Sequence, residues 1–306
     1  MRLLLLSRST SIYTTRRLVA AARRRGHQVR VLDPTRCELL MSRHIAEIFY
    51  QGKKVGPVDV VIPRIAESIT NYGLAVVDHF AMRGVALVND AAAIAQARNK
   101  LRCLQSLSAH GVDVPATVMA QDAGQIRKMI DLVGGVPVLV KLLQPNGRAG
   151  VMVCESLQSM GAALDAVLGL GHNFIVQQYV GVRGGRDLRA LVVGDRVIAA
   201  VRRSARSGRL TRTLSRGARL AQVTLARDQE RMAIESARVI GLHACAVDMI
   251  EADGKTRVFE VNASPGLKDL EAITGRDLAT PIIELAERRM LSRTTGHRRA
   301  SAASRG

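Results

Sequence analysis

Short apolar runs alternate with amphipathic stretches along the first ninety residues, the pattern of βαβ units wound into a parallel sheet. Arg2–Ser7 reads as a strand and Gln28–Asp33 as a second. Between them, Ile12–Gly26 carries Leu18, Ala21 and Ala22 at helical spacing, with arginines before Gly26 where cations suit the C-terminal end of a helix. Asp33-Pro34 breaks the pattern, after which Val58–Pro63 reads as a third strand, Ser68–Gly84 as a helix and Val85–Asn89 as a short strand. The opening run Met1–Leu6 is shorter than the apolar stretch of a secretory signal and leads into Ser7-Arg8, so it is expected to be a buried strand.

From Ala91 to His110 the pattern is mostly helical, and from Thr117 strands and helices alternate again. Pro137–Leu143 and Val151–Ser156 flank the turn-rich segment Gln144–Gly150, which is either a plain hairpin connection or a loop whose N–H groups face phosphate oxygens. Ile175–Val180, Asp187–Val193 and Val197–Val201 read as strands around the glycine-rich turn Gly181–Gly185. Ala226–Gly241 is a helix, Ala244–Glu251 and Thr256–Asn262 are the final strands, and Leu278–Met290 is the last helix. The tail Leu291–Gly306 has neither acids nor an apolar period and is expected to be disordered. No apolar run reaches the roughly 18 to 20 residues of a membrane span.

Composition changes this picture in two places. The formal charge is +19, and eleven arginines stand against two acids between Arg183 and Arg219, so Ser204–Gly217 reads as a disordered or substrate-facing loop. That charge points either to an acidic partner, since a positive field speeds encounter with anions, or merely to a base composition that favours arginine (38) over lysine (7). The four cysteines, Cys37, Cys103, Cys154 and Cys245, form no zinc-ligand spacing and fit reduced thiols in a soluble cytoplasmic protein.

The candidate chemistry lies in a few polar residues set into apolar strands. Glu260 and Asn262 are two apart and share a strand face, which Asp248 joins if the last two strands are antiparallel neighbours. Three oxygen donors so placed form either a hard-cation site, because magnesium takes carboxylates with phosphate oxygens and water, or an ordinary solvent-facing surface. Lys100 follows Gln96-Ala97-Arg98-Asn99, and Lys141 ends Val138-Leu139-Val140. Each either reaches nucleotide phosphates as a point charge or is an edge lysine with its head in water.

In order along the chain, Leu32-Asp33-Pro34, Val61-Ile62-Pro63-Arg64-Ile65, Ala97-Arg98-Asn99-Lys100-Leu101-Arg102, Leu191-Val192-Val193-Gly194-Asp195 and Glu260-Val261-Asn262-Ala263-Ser264-Pro265-Gly266 resemble the ATP-grasp ligases. Within them the likeness is to the RimK type, which adds glutamate to the C-terminus of ribosomal protein S six. The resemblance implies an α/β chain of ATP-grasp fold: a parallel-sheet pre-ATP-grasp domain at 1–95, a central lobe with the phosphate loop at 96–180, a lobe with the metal site at 181–290 and a basic tail at 291–306. It places Lys100 and Lys141 on the phosphates of ATP, Gln178 and Tyr179 at the adenine hinge and Asp187 near the ribose. Thr211, Arg212 and Thr213 fall in the substrate loop beside the nucleotide. Asp248, Glu260 and Asn262 would hold one or two Mg²⁺ or Mn²⁺ ions, and Arg203 and Arg64 would hold substrate carboxylates.

The implied partners are ATP, glutamate or a similar amino acid, and an acidic protein or peptide C-terminus, ribosomal in the RimK type, with relatives assembling as tetramers. Three positions depart from the family pattern. Gln144–Gly150 keeps only the last glycine of a Glu-Gly-Thr-x-Gly-x-Gly loop, Gln178 replaces a glutamate, and Thr211-Arg212-Thr213 replaces Arg-Ser-Asn. Two other functions fit parts of the sequence: an ATP-binding regulator with weakened catalysis, and a basic ribosome- or RNA-binding module with salt-sensitive binding.

Overall fold

Strand β1 (Arg2–Leu6) carries four consecutive leucines, all buried, as a central parallel strand covered on both faces requires. It pairs in parallel with β2 (Gln28–Leu32) on one side. A hairpin of β3 (Cys37–Ser42), β4 (Ile45–Tyr50) and β5 (Lys53–Lys54) forms a small separate sheet before the chain returns to β6 (Val60–Pro63) and β7 (Ala86–Leu87), giving the order β2-β1-β6-β7. The computed structural model describes residues 1–43, 45–120, 125–142, 150–168, 174–180, 186–204 and 219–303. The loop residues 144–149, the turn 181–185 and Thr211, Arg212 and Thr213 lie outside them.

Helix α1 (Tyr13–Arg24) packs Leu18, Ala21 and Ala22 against Leu3 and Leu5, and ends on Arg23 and Arg24 as the macrodipole favours. Leu4 and Leu6 face the other way, onto α2 (Thr70–Met82) through Val76, Val77 and Phe80. Each fully buried leucine contributes roughly 2 kcal/mol of transfer free energy. The hairpin was not visible in the hydrophobic pattern, since only Cys37 and Ile48 of its two long strands are fully buried.

The segment from Ala91 to His110, which reads as mostly helical, is two helices, α3 (Ala91–Arg98) and α4 (Lys100–Ala109). Asn99 separates them: its backbone is extended and its side chain accepts a hydrogen bond from the Arg102 N–H at 3.0 Å, an N-cap that competes with helix continuation. Lys100 is therefore the first residue of a helix.

Two further sheets follow. Strands β8 (Thr117–Ala120), β9 (Val138–Leu142), β10 (Val151–Cys154) and β11 (Phe174–Gln178) form an antiparallel sheet of order β10-β9-β11-β8. One face packs on α5 (Ile126–Leu132) and α6 (Leu157–Leu168) through Val138, Val140, Phe174 and Val176, a core of its own. Strands β12 (Arg186–Val193), β13 (Arg196–Ser204), β14 (Arg219–Gln222), β15 (Ala244–Ala252) and β16 (Lys255–Asn262) form a five-stranded sheet of order β14-β13-β12-β15-β16. Its back is covered by α3, α4 and α7 (Arg227–Ile240).

The third sheet is tied to the first. Asn89 donates to the Ala244 carbonyl at 2.8 Å and accepts from the His243 N–H at 2.8 Å, while the Leu267 N–H donates to Thr14 Oγ1 at 2.9 Å. After α8 (Lys268–Thr274), the last helix α9 (Ala279–Ala303) packs Ile282, Ile283 and Ala286 into the core shared by both sheets. The backbone stays helical to Ala303, where disorder was expected beyond Met290. Beyond Met290 no proline interrupts the run, and six of its thirteen residues to Ala303 are arginine or alanine, strong helix formers that carry the helix past its apolar stripe despite Gly296. Among the described residues no helix is long and apolar enough to cross a membrane.

Candidate active site

The second and third sheets face each other across a cleft of about 600 Å³. From the second sheet come Leu139, Lys141, Gln177, Gln178 and Tyr179; from the third come Asp187, Arg189, Arg203, Asp248, Glu260 and Asn262; Lys100 enters from α4. Register explains this division. Lys141 is paired with Ile175, two residues before Gln177, so Lys141 and Gln177 share the face opposite the Val138–Val140–Val176 core. In the third sheet Asp248 stands opposite both Arg189 and Glu260, while Leu188, Ala190 and Val247 point to the back.

Strand β16 changes phase within this site. Asp248 pairs with Glu260 but Met249 pairs with Val258, which leaves Phe259 as the extra residue of a β-bulge. Val258 faces the core, and both Phe259 and Glu260 then line the cleft, followed by Asn262 after core-facing Val261.

The charges in the cleft are unevenly satisfied. Asp248, with its side chain 1% exposed, receives Arg189 Nε on Oδ1 at 2.7 Å, Arg189 Nη2 on Oδ2 at 2.6 Å and Arg203 Nη2 on Oδ1 at 2.7 Å. Arg203 lies on β13 and reaches over β12 to do so. Burial opposes the Arg189 charge, but the two-point bond to Asp248 and the attraction of Asp248 and Glu260 raise its pKa above the ordinary value. Glu260 faces the cleft and makes no hydrogen bond or ion pair among the described residues. Asn262 Oδ1 accepts from the Ser264 N–H at 2.8 Å and retains a second lone pair.

Lys141 is buried and donates from Nζ to Gln177 Oε1 at 2.5 Å, with the Phe259 ring centroid 5.8 Å away. Burial, and then the nearby Lys100 charge, push its pKa down to about 8, against the pull of Glu260. Among the described residues, Arg64 is the sequence-identified residue that does not line the cleft. Its Nη2 donates to the carbonyls of Ser264 and Pro265 at 3.2 and 2.7 Å, so it braces the turn after Asn262. Burial and the neighbouring Arg98 push it down to about 10.

The oxygen donors suit a hard cation: two carboxylates adjacent across a ladder, one of them without a hydrogen-bond or ion-pair partner among the described residues, and an amide oxygen on the same face. Among the described residues no group of three or more histidine, cysteine, aspartate and glutamate side chains gathers where it could hold a metal ion, so the donor set here is two carboxylates and an amide. Arg189, Gln177 and Phe259 were not identified from the sequence. Arg189 was within reach, because it alternates with Asp187 along one strand face; the bulge that exposes Phe259 leaves no mark on the hydrophobic pattern.

Two lobes with separate cores, facing each other across one cleft beside a parallel α/β domain, define the ATP-grasp class. Residues 1–94 match the model of the RimK PreATP-grasp domain and residues 97–286 that of the RimK-like ATP-grasp domain. A protein of Vibrio cholerae named "Probable alpha-L-glutamate ligase" is 39% identical over 295 residues, covering 96% of this chain and 98% of that protein. One of the same name from Halorhodospira halophila is 40% identical over 296 residues, covering 97% and 98%. Among solved structures, the ATP-grasp ligase PsnB complexed with a minimal precursor superposes with a TM-score of 0.75 at 20% identity, covering 94% of this chain and 98% of that one. The RimK domain protein of Sphaerobacter thermophilus gives 0.73 at 21% identity, covering 94% and 99%. The chain belongs to the RimK-type ATP-grasp ligases, and it is an enzyme of that class.

Proposed function

We propose that this ligase uses ATP to join glutamate, or a similar amino acid, to the C-terminal carboxylate of an acidic protein or peptide, a ribosomal protein being the acceptor that the RimK likeness suggests. The observation that carries the reading is the meeting of Lys100 and Lys141 with Asp248, Glu260 and Asn262 across one cleft. In this reading the two lysines and Arg203 attract the ATP phosphates and the acceptor carboxylate. Gln178 and Tyr179 border the adenine, Asp187 the ribose, and Thr211, Arg212 and Thr213 complete the nucleotide side.

Asp248, Glu260 and Asn262 would hold Mg²⁺ or Mn²⁺, one ion or two, which supplies charge neutralisation for phosphoryl transfer. The acceptor carboxylate oxygen attacks the γ-phosphorus, the bond to the β-phosphate bridging oxygen breaks, and ADP leaves. The glutamate amine then attacks the acyl carbon; the amide bond forms, the proton leaves the nitrogen and inorganic phosphate departs. The chain's part is positioning and electrostatic stabilisation rather than covalent catalysis. Names of relatives support this choice: glutamate in those of Vibrio and Halorhodospira, and a structure of PsnB complexed with a precursor peptide.

The test is ADP release by the purified protein with Mg-ATP and glutamate, with and without an acidic C-terminal peptide, products being weighed by mass spectrometry. Acceptor-dependent ADP release with added glutamate mass, lost in Glu260→Ala, is the expected result. Nucleotide binding without turnover would sink the ligase reading of this site in favour of a regulator. A sizing experiment tests the four-copy assembly that accompanies the RimK likeness.

A further inference from the structure

Lys141 does not stand alone in the cleft wall. Its ammonium donates to Gln177 Oε1 at 2.5 Å, Gln177 Nε2 donates to Thr117 Oγ1 at 2.8 Å, and the Thr117 hydroxyl donates to the Pro115 carbonyl at 2.8 Å. All three side chains lie on one sheet face, because Gln177 is paired with Thr117 on β8 and sits diagonally from Lys141 on β9. Gln177 is 1% exposed, so water does not replace either of its bonds.

The direction of this chain is set at its far end. A backbone carbonyl can only accept, so the single hydroxyl proton of Thr117 is committed to Pro115. Thr117 Oγ1 must then accept, which calls for the NH₂ side of the Gln177 amide and turns the amide oxygen toward Lys141. The opposite orientation would set two donors against each other at the Lys141 end and two acceptor oxygens against each other at the Thr117 end, leaving buried polar groups unsatisfied.

We propose that Gln177, oriented by Thr117, is a positioning residue that holds the Lys141 ammonium at the cleft for the nucleotide phosphates. This rests on the reading of Lys141 as a phosphate contact. A lysine has four rotatable bonds and a strongly hydrated head. Fixing the ammonium between an amide oxygen and the Phe259 ring removes that freedom before the nucleotide arrives, which is the physical content of pre-organisation.

The test measures the Kd of Mg-ADP, and KM for ATP against kcat, in Thr117→Val, Thr117→Ser, Gln177→Met and Lys141→Met, with melting temperatures recorded alongside. Thr117→Val frees the amide to rotate and is expected to weaken nucleotide binding about fivefold, the worth of one hydrogen bond. The rise falls on KM for ATP, with KM for the peptide acceptor unchanged. Thr117→Ser keeps the hydroxyl and restores the wild-type value, while Gln177→Met, which removes both bonds with an unbranched side chain of similar length, matches or exceeds the Thr117→Val effect. Should Lys141→Met weaken binding while Thr117→Val and Gln177→Met leave it at the wild-type value, the positioning role is wrong although the phosphate contact stands. Equal weakening by Thr117→Val and Thr117→Ser also overturns it. If Lys141→Met itself changes nothing, the phosphate contact fails, and the positioning role with it.

Discussion

Arg189 and Asp248 face each other directly across β12 and β15 and close a two-point ion pair, with a third hydrogen bond to the same carboxylate from Arg203. The carboxylate proposed as a metal ligand is therefore also the counter-charge that lets two guanidiniums line the cleft. Removing it isolates both. Asp248→Asn is expected to destabilise the fold by about 3 kcal/mol, the range for breaking a buried ion pair. Arg203→Met, which leaves the two-point pair in place, should cost about 1 kcal/mol. Denaturant midpoints at neutral pH decide; equal losses for the two variants would show that Asp248 is not the centre of the cluster.

Nucleotide affinity should fall on the alkaline side. Burial and Lys100 hold the Lys141 ammonium at about 8, and only the charged form attracts phosphate. The Kd for Mg-ADP is expected to rise as pH passes through about 8, and Lys141→Arg should flatten that limb. Stability of the unliganded fold runs the other way: with its pKa lowered from 10.5, Lys141 binds fewer protons in the native state than in the unfolded one, so its contribution becomes more favourable as pH climbs through that window. Titration calorimetry at three pH values, with a parallel unfolding series, checks both signs.

Asn99 caps α4 one residue before Lys100. Asn99→Ala should lower stability by about 1 kcal/mol and weaken nucleotide binding more than its stability loss predicts, because the first helical turn carries Lys100. Asn99→Asp, which retains the cap, should preserve both. A variant pair with matching ADP affinities but different melting temperatures would confine Asn99 to stability.

Glu287 joins α9 to the first helical layer through Arg25 at 2.8 Å and His27 at 2.6 Å. The Arg25 hydrogen bonds hold its carboxyl down at about 2, against burial. A depressed folded pKa stabilises above the unfolded value of 4.5 and is lost as pH falls toward 2. The stability difference between the wild type and Glu287→Gln should thus be constant above about pH 5 and shrink below it; exposed pairs of this kind are worth up to about 1 kcal/mol. A difference that grows with acidification would refute this assignment.

How far the sequence went can be seen in particular residues. Strand alternation was enough to put Glu260 and Asn262 on one face, and the register then brought Asp248 beside them. The likeness to a known family reached Lys100, Lys141, Gln178, Tyr179, Asp187 and Arg203, all of which border the cleft. Arg64, which the same likeness assigns to substrate carboxylates, is not among the residues lining this cleft; an arginine ending a buried strand looks the same in sequence whether it meets a substrate or two backbone carbonyls. Arg189 shares a strand face with Asp187, a signal within reach of the sequence but masked by the belt of eleven arginines around it. The helix break at Asn99 was overridden by apolar spacing that runs on through Ala97, Leu104 and Leu107. Gln177 and Thr117 are ordinary strand residues until three strands are laid side by side.

The extra residue at Phe259 has a consequence for how this strand can vary. β16 is read in two frames, one serving the core through Val258 and one serving the cleft through Glu260 and Asn262, with the change of frame confined to a single position. Deleting that residue would leave the other side chains intact and restore regular alternation, Val258 opposite Met249 and Glu260 opposite Asp248, so that Glu260 and Asn262 keep the cleft face; regular alternation with Phe259 retained would turn them to the hydrophobic back of the sheet. A substitution at Phe259 tests a side chain; a deletion there tests the punctuation of the strand.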